Sequence, residues 1–512
     1  MAVPVLIASL RPPPEMRQGR PLWSCLKEVT WMQWAQFWTG WLAWTCDSLD
    51  FVTVSLSVTD LQASFGKSAH TITTSITLTL LFRSVGAVIF GIISDRFGRK
   101  WPLVFNLILC SVIELGSGFV RTYPQFLAAR CLFGVAQGGV WGMSASSALE
   151  NLPVELRGLA SGVLQQAFAV GYLIAAVIYL YLVPEQGSGW RALFWTASGI
   201  SMFAAFVRAC LPESALFSRA KEIERLRGTT TGKQTKVFIR ETGRMMKKHW
   251  ALCIYMILLM TGFTFLAHGS QDLYPTYLKA NKGLSSHDAT VATIIGNVGA
   301  VVGGAFAGYI SQYIGRRLTI IIFCLLIGVF IPLWIIPSTF SALAAGAFCI
   351  QFGVQGAWGV IPIQLAEMSP PAFRATFPGV AYQVGNMISS ASAQIEATGG
   401  DNLKTTLPLI DPKTGKPTVV PNYAEVQGIL IGLVVAFVIF ITLIGPENHG
   451  AHFEKAKTAF EEGGGNDELE EEDLTPAGGL LDGKVVGGDM ERGSKMEINE
   501  KAEEERIGNA HV

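Results

Sequence analysis

Apolar runs of about 20 residues, separated by short polar stretches, recur along the chain from residue 34 to residue 445. Coiled as helices rising about 1.5 Å per residue, such runs are long enough to cross the hydrocarbon core of a bilayer. They predict helices near 34–59, 71–94, 101–120, 125–148, 158–183 and 191–210, then near 250–276, 288–312, 317–336, 340–365, 375–396 and 425–445. The first and seventh carry ionisable residues within the apolar run. The pattern predicts an all-α membrane protein with twelve transmembrane helices in two six-helix bundles. The segments are a tail (1–33), a first bundle (34–210), a basic central loop (211–249), a second bundle (250–445) and an acidic, Gly-rich tail (446–512) expected to be disordered.

The two halves are copies. Gly91-Ile-Ile-Ser-Asp-Arg-Phe-Gly-Arg-Lys100 aligns with Gly308-Tyr-Ile-Ser-Gln-Tyr-Ile-Gly-Arg-Arg317, and Trp141-Gly142, Glu150, Pro153 and Arg157 align with Trp358-Gly359, Glu367, Pro370 and Arg374. Every pair is 217 positions apart. A gapless offset kept across six helices predicts pseudo-symmetric bundles related by an axis along the membrane normal.

Half of the 512 residues are apolar and 15% are charged, which is not the composition of a soluble enzyme. Formal net charge is zero, but the charges are segregated: bases crowd Arg219 to Lys248, and acids crowd the tail after Glu461. Neither block is interleaved with aromatics as a nucleic-acid surface would be, so no nucleic acid is expected as a partner. The eight cysteines show no CxxC spacing, and neither a metal site nor a disulfide framework follows. Arg96, Arg99, Lys100, Arg157, Arg316, Arg317 and the central loop all fall on one side, which the positive-inside rule makes cytoplasmic. Both termini are then expected in the cytoplasm, with Thr398 to Asn422 outside. The apolar first ten residues lack a basic start and run into Arg11 and Pro12 to Pro14, which suggests a cytosolic tail, not a cleaved signal.

Candidate chemistry is densest at Thr264 to Thr276, TFLAHGSQDLYPT. If the helix continues, Thr264, His268, Gln271, Asp272 and Thr276 share one face. Ionisable groups at membrane depth cost about 2.5–3.5 kcal/mol each on insertion scales, so they line cavities or pair together. His268 and Asp272, four apart, can do both; a pair that merely joins two helices is the alternative. Pro275 leaves the carbonyl of Gln271 without its helical partner, and broken polar helices are where transporters bind substrates and ions. Shifted by 217, Thr264 falls on Asp47 and Ala267 on Asp50, so both bundles offer polar groups at one depth. Either aspartate could instead cap or pack against a neighbouring helix. Arg83, about 18 Å along its helix from Asp95, lies too deep to serve the loop. Its planar fork suits a carboxylate, either on an anionic solute or on Asp47, Asp50 or Glu114. Gln383 and Asn386 lie three apart on the eleventh helix, for solute binding or for interhelical hydrogen bonds.

The run His268-Gly-Ser270-Gln271-Asp272-Leu-Tyr-Pro-Thr276 resembles the signature Asn-x-x-Ser/Thr-His-x-Ser/Thr-Gln-Asp-x-x-x-Thr of the fungal proton-coupled carboxylic acid (lactate and pyruvate) transporters, grouped with the sialate:proton symporters of the major facilitator superfamily. Thr264 stands where that signature has Asn, and Ala267 where it has Ser or Thr. The similarity covers roughly residues 25 to 445. It implies the major facilitator fold and proton symport of small carboxylates across the plasma membrane, by a chain functional as a monomer. Taken with the residue-level reading, the substrate-binding candidates are Arg83, His268, Gln271, Asp272, Thr276, Gln383 and Asn386, and the proton-coupling candidates are His268, Asp272, Asp47 and Asp50. The loop pattern resembles the superfamily's latch, in which the Asp, here Asp95, caps a helix and pairs with Arg. Asp95, Arg96, Arg99, Glu150, Arg157, Arg316, Glu367 and Arg374 are the gating candidates, and Gln312 in place of a second Asp implies an asymmetric latch.

Three other readings stand beside this one. A facilitator for a dicarboxylate, sialic acid or sugar, or a non-transporting nutrient sensor, would share this architecture, and the loop and tail leave room for regulatory proteins. A membrane enzyme using His268 as a base has no accompanying nucleophile, metal-ligand set or phosphate loop, so no enzyme and no cofactor is expected.

Overall fold

The computed structural model describes residues 21–448, apart from 151, 184–188, 214–217, 219–230, 371, 372, 374 and 411–416. Twelve helical spans form two bundles. The first contains α1 (Trp31–Leu56), α2 (Ala69–Phe97), α3 (Lys100–Ser117), α4 (Tyr123–Gln137, continued by Val140–Leu149), α5 (Arg157–Leu182) and α6 (Arg191–Cys210). The second contains α7 (Trp250–Gln271), α8 (Ser286–Ile314), α9 (Arg316–Ile335), α10 (Phe340–Met368), α11 (Thr376–Ser389, continued by Ser392–Asn402) and α12 (Tyr423–Ile444). Nine helices among the described residues are each long and apolar enough to cross a membrane. The rest of the set is α1, which carries Gln and Asp, and the interrupted α4 and α11.

The repeat is visible in the punctuation of the helices. Ser68 starts α2 and Ser285 starts α8, each accepting the backbone N–H three residues on, at 3.2 and 3.0 Å. Gly98 ends α2 at φ +100°, and Gly315 ends α8 at φ +98°, where a side chain would be strained. The interruptions correspond as well. A break at Ser57 divides α1 from Val58–Phe65, and a break at Asp272 and Leu273 divides α7 from Tyr274–Ala280.

Several elements differ from the expected runs. The seventh span, expected over 250–276 with its hydrogen bonding interrupted by Pro275, ends at Gln271, and Pro275 takes the first turn of a new helix, where its missing N–H costs nothing. The eleventh, expected over 375–396, breaks at Ser390 and Ala391, and the fourth at Gly138 and Gly139. Within the central stretch lies an amphipathic helix, Thr231–Lys248, whose Phe238, Glu241 and Met245 are buried on one face. The stretch after α11 pairs as an antiparallel hairpin, Lys404–Ile410 with Pro417–Pro421. Exposed apolar side chains such as Phe203, Phe206, Val329 and Leu433 face outward, where lipid would cover them.

The halves meet along two related seams, α2 with α11 and α5 with α8. Glycine sets the closeness of the second: a Cβ on Gly162 would lie 2.3 Å from the carbonyl oxygen of Gly304. Ser161 reinforces it by donating to the Gly359 oxygen at 2.8 Å and accepting from the Ile363 nitrogen at 3.0 Å, thereby bridging one turn of α10.

Candidate functional site

Between the bundles lies a cavity of about 30 Å³, room for one or two waters, walled by α1, α2 and α5 on one side and α7, α10 and α11 on the other. The halves must part to admit a solute. His268 hangs from the last full turn of α7, 9% exposed. Its Nδ1 lies 3.0 Å from Asp272 Oδ2, and its Nε2 lies 3.3 Å from Asn386 Oδ1. Asn386 is oriented in turn, because its Nδ2 donates to Gln383 Oε1 at 2.8 Å. The Asn386 oxygen therefore calls for a proton on His268 Nε2, which leaves Nδ1 facing the Asp272 carboxyl with one proton to share between them. Protonation there is a choice between an imidazolium–carboxylate pair and an acid donating to a neutral ring.

Across the cavity, Arg83 Nη2 donates to Asp47 Oδ2, and the guanidinium lies over the Phe51 ring, 5.3 Å from its centroid. Phe51 also meets the His268 ring edge-on, with centroids 6.3 Å apart. Asp47 is held further by Gln137 Nε2, which donates to its backbone oxygen at 2.6 Å. The pairing is incomplete: Arg83 Nε and Asp47 Oδ1 are both buried without a hydrogen-bond partner. A guanidinium in the cavity wall with an unused donor is equipped to take a second anion.

The structure does not bring every sequence candidate to the cavity. Asp50, one turn from Asp47, points into the first bundle and accepts from Ser201 Oγ at 2.7 Å, beside the buried Glu114–Arg130 pair at 2.5 Å. Thr276 is exposed on the helix after the break and does not line the cavity, because the interruption ends the continuous face that would have included it. Gln271 lines the cavity and donates to Gln351 Oε1 at 2.8 Å, while Thr264 lines it with its hydroxyl turned back to the Met260 carbonyl. Gln383 is fully buried behind Asn386.

Sequence reasoning missed an aromatic cluster around Tyr382. Its ring centroid is 4.7 Å from that of Trp141, 5.7 Å from Trp358 and 6.1 Å from Trp44. Trp141 and Trp358 are repeat mates, so the 217 offset already marked this position as an axis of the molecule. Phe168, 5.6 Å from Trp44, also lines the cavity.

Below the cavity, on the face of the basic loops, Asp95 accepts from the backbone N–H of Thr376 at 3.0 Å and from its hydroxyl, so the first half caps the N-terminus of α11 in the second. Arg99 holds Asp95 at 2.8 Å and Glu150 at 3.0 Å. In the second copy, Arg316 grips both oxygens of Glu367, at 3.1 and 3.0 Å, and Gln312 reaches the first half through a 3.4 Å bond to the Val154 carbonyl. Arg157 Nε donates to the Leu152 carbonyl at 3.0 Å, and Arg96 lies over the Phe97 ring. Arg374 and the acidic tail lie outside the described residues. At the opposite end, Gln394 Nε2 donates to Thr73 Oγ1 at 3.2 Å, and Thr77 Oγ1 donates to the Ser390 carbonyl at 3.3 Å.

Two bundles of six helices in tandem, enclosing a polar cavity on their shared axis, are the architecture of a membrane transport protein. The family model of the Major Facilitator Superfamily matches residues 37–393, and the chain belongs to that superfamily. Its resemblance to carboxylic acid transporters is borne out: it is 34% identical over 436 residues to a carboxylic acid transporter protein homolog of Saccharomyces cerevisiae, covering 82% of this chain and 69% of the relative. It is 27% identical over 423 residues to a probable 4-methylmuconolactone transporter of Cupriavidus pinatubonensis, covering 82% and 91%. The solved structure of the proton:xylose symporter XylE bound to 6-bromo-6-deoxy-D-glucose has the same fold, with a TM-score of 0.63 at 16% identity, covering 83% of this chain and 98% of that one.

Proposed function

We propose that this chain carries small monocarboxylates such as lactate or pyruvate together with protons, by alternating access, across the plasma membrane, with its basic loops and termini in the cytoplasm. The observation that supports this best is Arg83, buried in the cavity wall with an unused Nε and a half-satisfied partner in Asp47. A substrate carboxylate competes with Asp47 for the guanidinium, and a proton on Asp47 frees Arg83 to accept it. The His268–Asp272 pair gives the proton a second seat next to the same anion. Proton and monocarboxylate together are neutral, which avoids working against the membrane potential at about 2.3 kcal/mol per 100 mV.

On this reading Asn386 and Gln383 set the tautomer of His268, and Gln271 and Thr264 line the path of the solute. The Asp95–Thr376 contact between the halves holds the cytoplasmic side shut while the site loads, and Arg316–Glu367 braces the second half beside it. Uptake of labelled lactate, pyruvate, succinate and sialic acid into cells without their own carriers, at two external pH values, tests the assignment. Monocarboxylate uptake stimulated by external acid supports it. Uptake of succinate or sialic acid alone, or none with any solute despite surface expression, overturns it.

A further inference from the structure

Glu396 is fully buried on the second piece of α11, behind the residues that line the cavity. Its Oε2 accepts from Gln427 Nε2 of α12 at 3.0 Å, and its Oε1 lies 3.4 Å from Ser392 Oγ. Both donors are neutral. Asp47, Asp95, Glu114 and Glu367 each meet an arginine, but Glu396 has no ion pair among the described residues. A buried carboxylate without a cation is far costlier than the same group as the neutral acid, whose O–H can turn to the Ser392 hydroxyl while its other oxygen takes the Gln427 N–H.

The position of the carboxyl ties it to the transport site. A Cβ placed on Gly269 would lie 3.5 Å from Glu396 Oε1, so the carboxyl packs against α7 at that residue. Gly269 follows His268 directly and precedes Asp272 by three, which puts it on the face that Asp272 shares. Of the ionisable groups on the packed elements, Asp272 and His268 of α7 stand on the cavity side, Arg83 of α2 is paired with Asp47, Tyr423 of α12, against Gly400, stands toward the hairpin, and Glu425 of α12 and Asp401 are exposed there. Six residues separate Glu396 from the end of its helix at Asn402, about 9 Å along the axis. The carboxyl thus lies between the hairpin face and the His268–Asp272 pair.

We propose that Glu396 is a further proton-relay residue: a carboxylic acid that keeps its proton while Asp272 is ionised, delivers it to Asp272, and is reprotonated from the hairpin face. The O–H bond at Glu396 breaks as one forms at Asp272 Oδ, and the carboxylate left behind is held by Gln427 and Ser392 until the next proton arrives. The inference rests on the proton-coupled reading above.

Glu396→Gln tests it, since the amide keeps the shape and the neutral hydrogen bonds but cannot carry the proton. In reconstituted vesicles the variant should exchange labelled lactate for unlabelled lactate within about twofold of the wild-type rate, while accumulation driven by an inward proton gradient falls at least tenfold. Glu396→Asp, which restores the acid, should recover part of that accumulation with a displaced pH profile. Unchanged proton-driven accumulation and pH profile in Glu396→Gln would overturn the inference. If Glu396→Gln does not fold, the pH profile of Glu396→Asp decides, and a wild-type profile there overturns it too. Failure of the underlying reading is seen separately, because wild-type vesicles would then show no lactate-dependent proton flux at all.

Discussion

Replacing Gly162 with Ala should open the basic-loop face of the molecule. The added Cβ would sit 2.3 Å from the Gly304 carbonyl oxygen and 3.0 Å from the Gly308 Cα, both backbone atoms of α8 that no rotamer change can move. Reaching an ordinary contact distance requires α5 and α8 to separate by roughly 1 Å, and overpacking of this kind costs about 1–3 kcal/mol. The strain exists only where the two helices are pressed together. It therefore acts as a bias against this closed arrangement, shifting the closed-to-open ratio by roughly 5- to 150-fold. Spin labels at the exposed positions Trp101 and Tyr313, one in each half on the basic-loop face, would report the change in a cysteine-free background. Wild-type protein should give mainly a short distance, and Gly162→Ala should add or favour a longer one. An unchanged distance distribution in folded variant protein would refute the reasoning, because it would mean that α5 absorbs the methyl by local bending instead of moving the bundle.

Arg83→Lys keeps the charge but loses the planar fork that reaches Asp47 and a second carboxylate together, so uptake should fall at least tenfold at normal surface expression; near wild-type uptake would reassign Arg83 to a structural role. Asp272→Asn cannot release a proton, so it should abolish accumulation against a gradient while exchange between preloaded vesicles survives, as measured by counterflow. Asp95→Ala removes the carboxylate that caps α11 and holds Arg99; it should cost about 1–2 kcal/mol of basic-face closure, seen as faster alkylation of a cysteine placed below the cavity, and unaltered alkylation would show that the latch does not hold that face.

Much of this architecture was legible because membrane helices announce themselves by length and because the repeat left no gaps. The paired Ser68 and Ser285 caps and the paired Gly98 and Gly315 ends repeat one local solution at a fixed offset. The helix interruptions were less visible, since Gly138-Gly139 and Ser390-Ala391 sit within apolar runs that tolerate small residues. Pro275 signalled the break in α7, yet the face drawn through Thr276 assumed a helix that the proline ends. Asp47 and Asp50 show where a single sequence stops being informative. They lie about 60° apart around one helix, and only the neighbours, Arg83 for one and Ser201 for the other, decide which of them faces the cavity. Glu396 was hidden for a different reason. The following Gly-Gly-Asp-Asn run reads as the start of a loop, whereas the structure makes it the last turn of a helix that buries Glu396.

The central claim is that one proton crosses with each carboxylate through the Arg83 and His268–Asp272 cavity. Proton flux and labelled lactate flux recorded together in vesicles containing the purified wild-type protein, with the membrane potential clamped, test it directly. The account predicts that lactate addition drives alkalinisation of the external medium at about one proton per lactate, with uptake insensitive to the imposed potential. Lactate entry without proton movement, or no lactate entry into vesicles that hold folded protein, would contradict it.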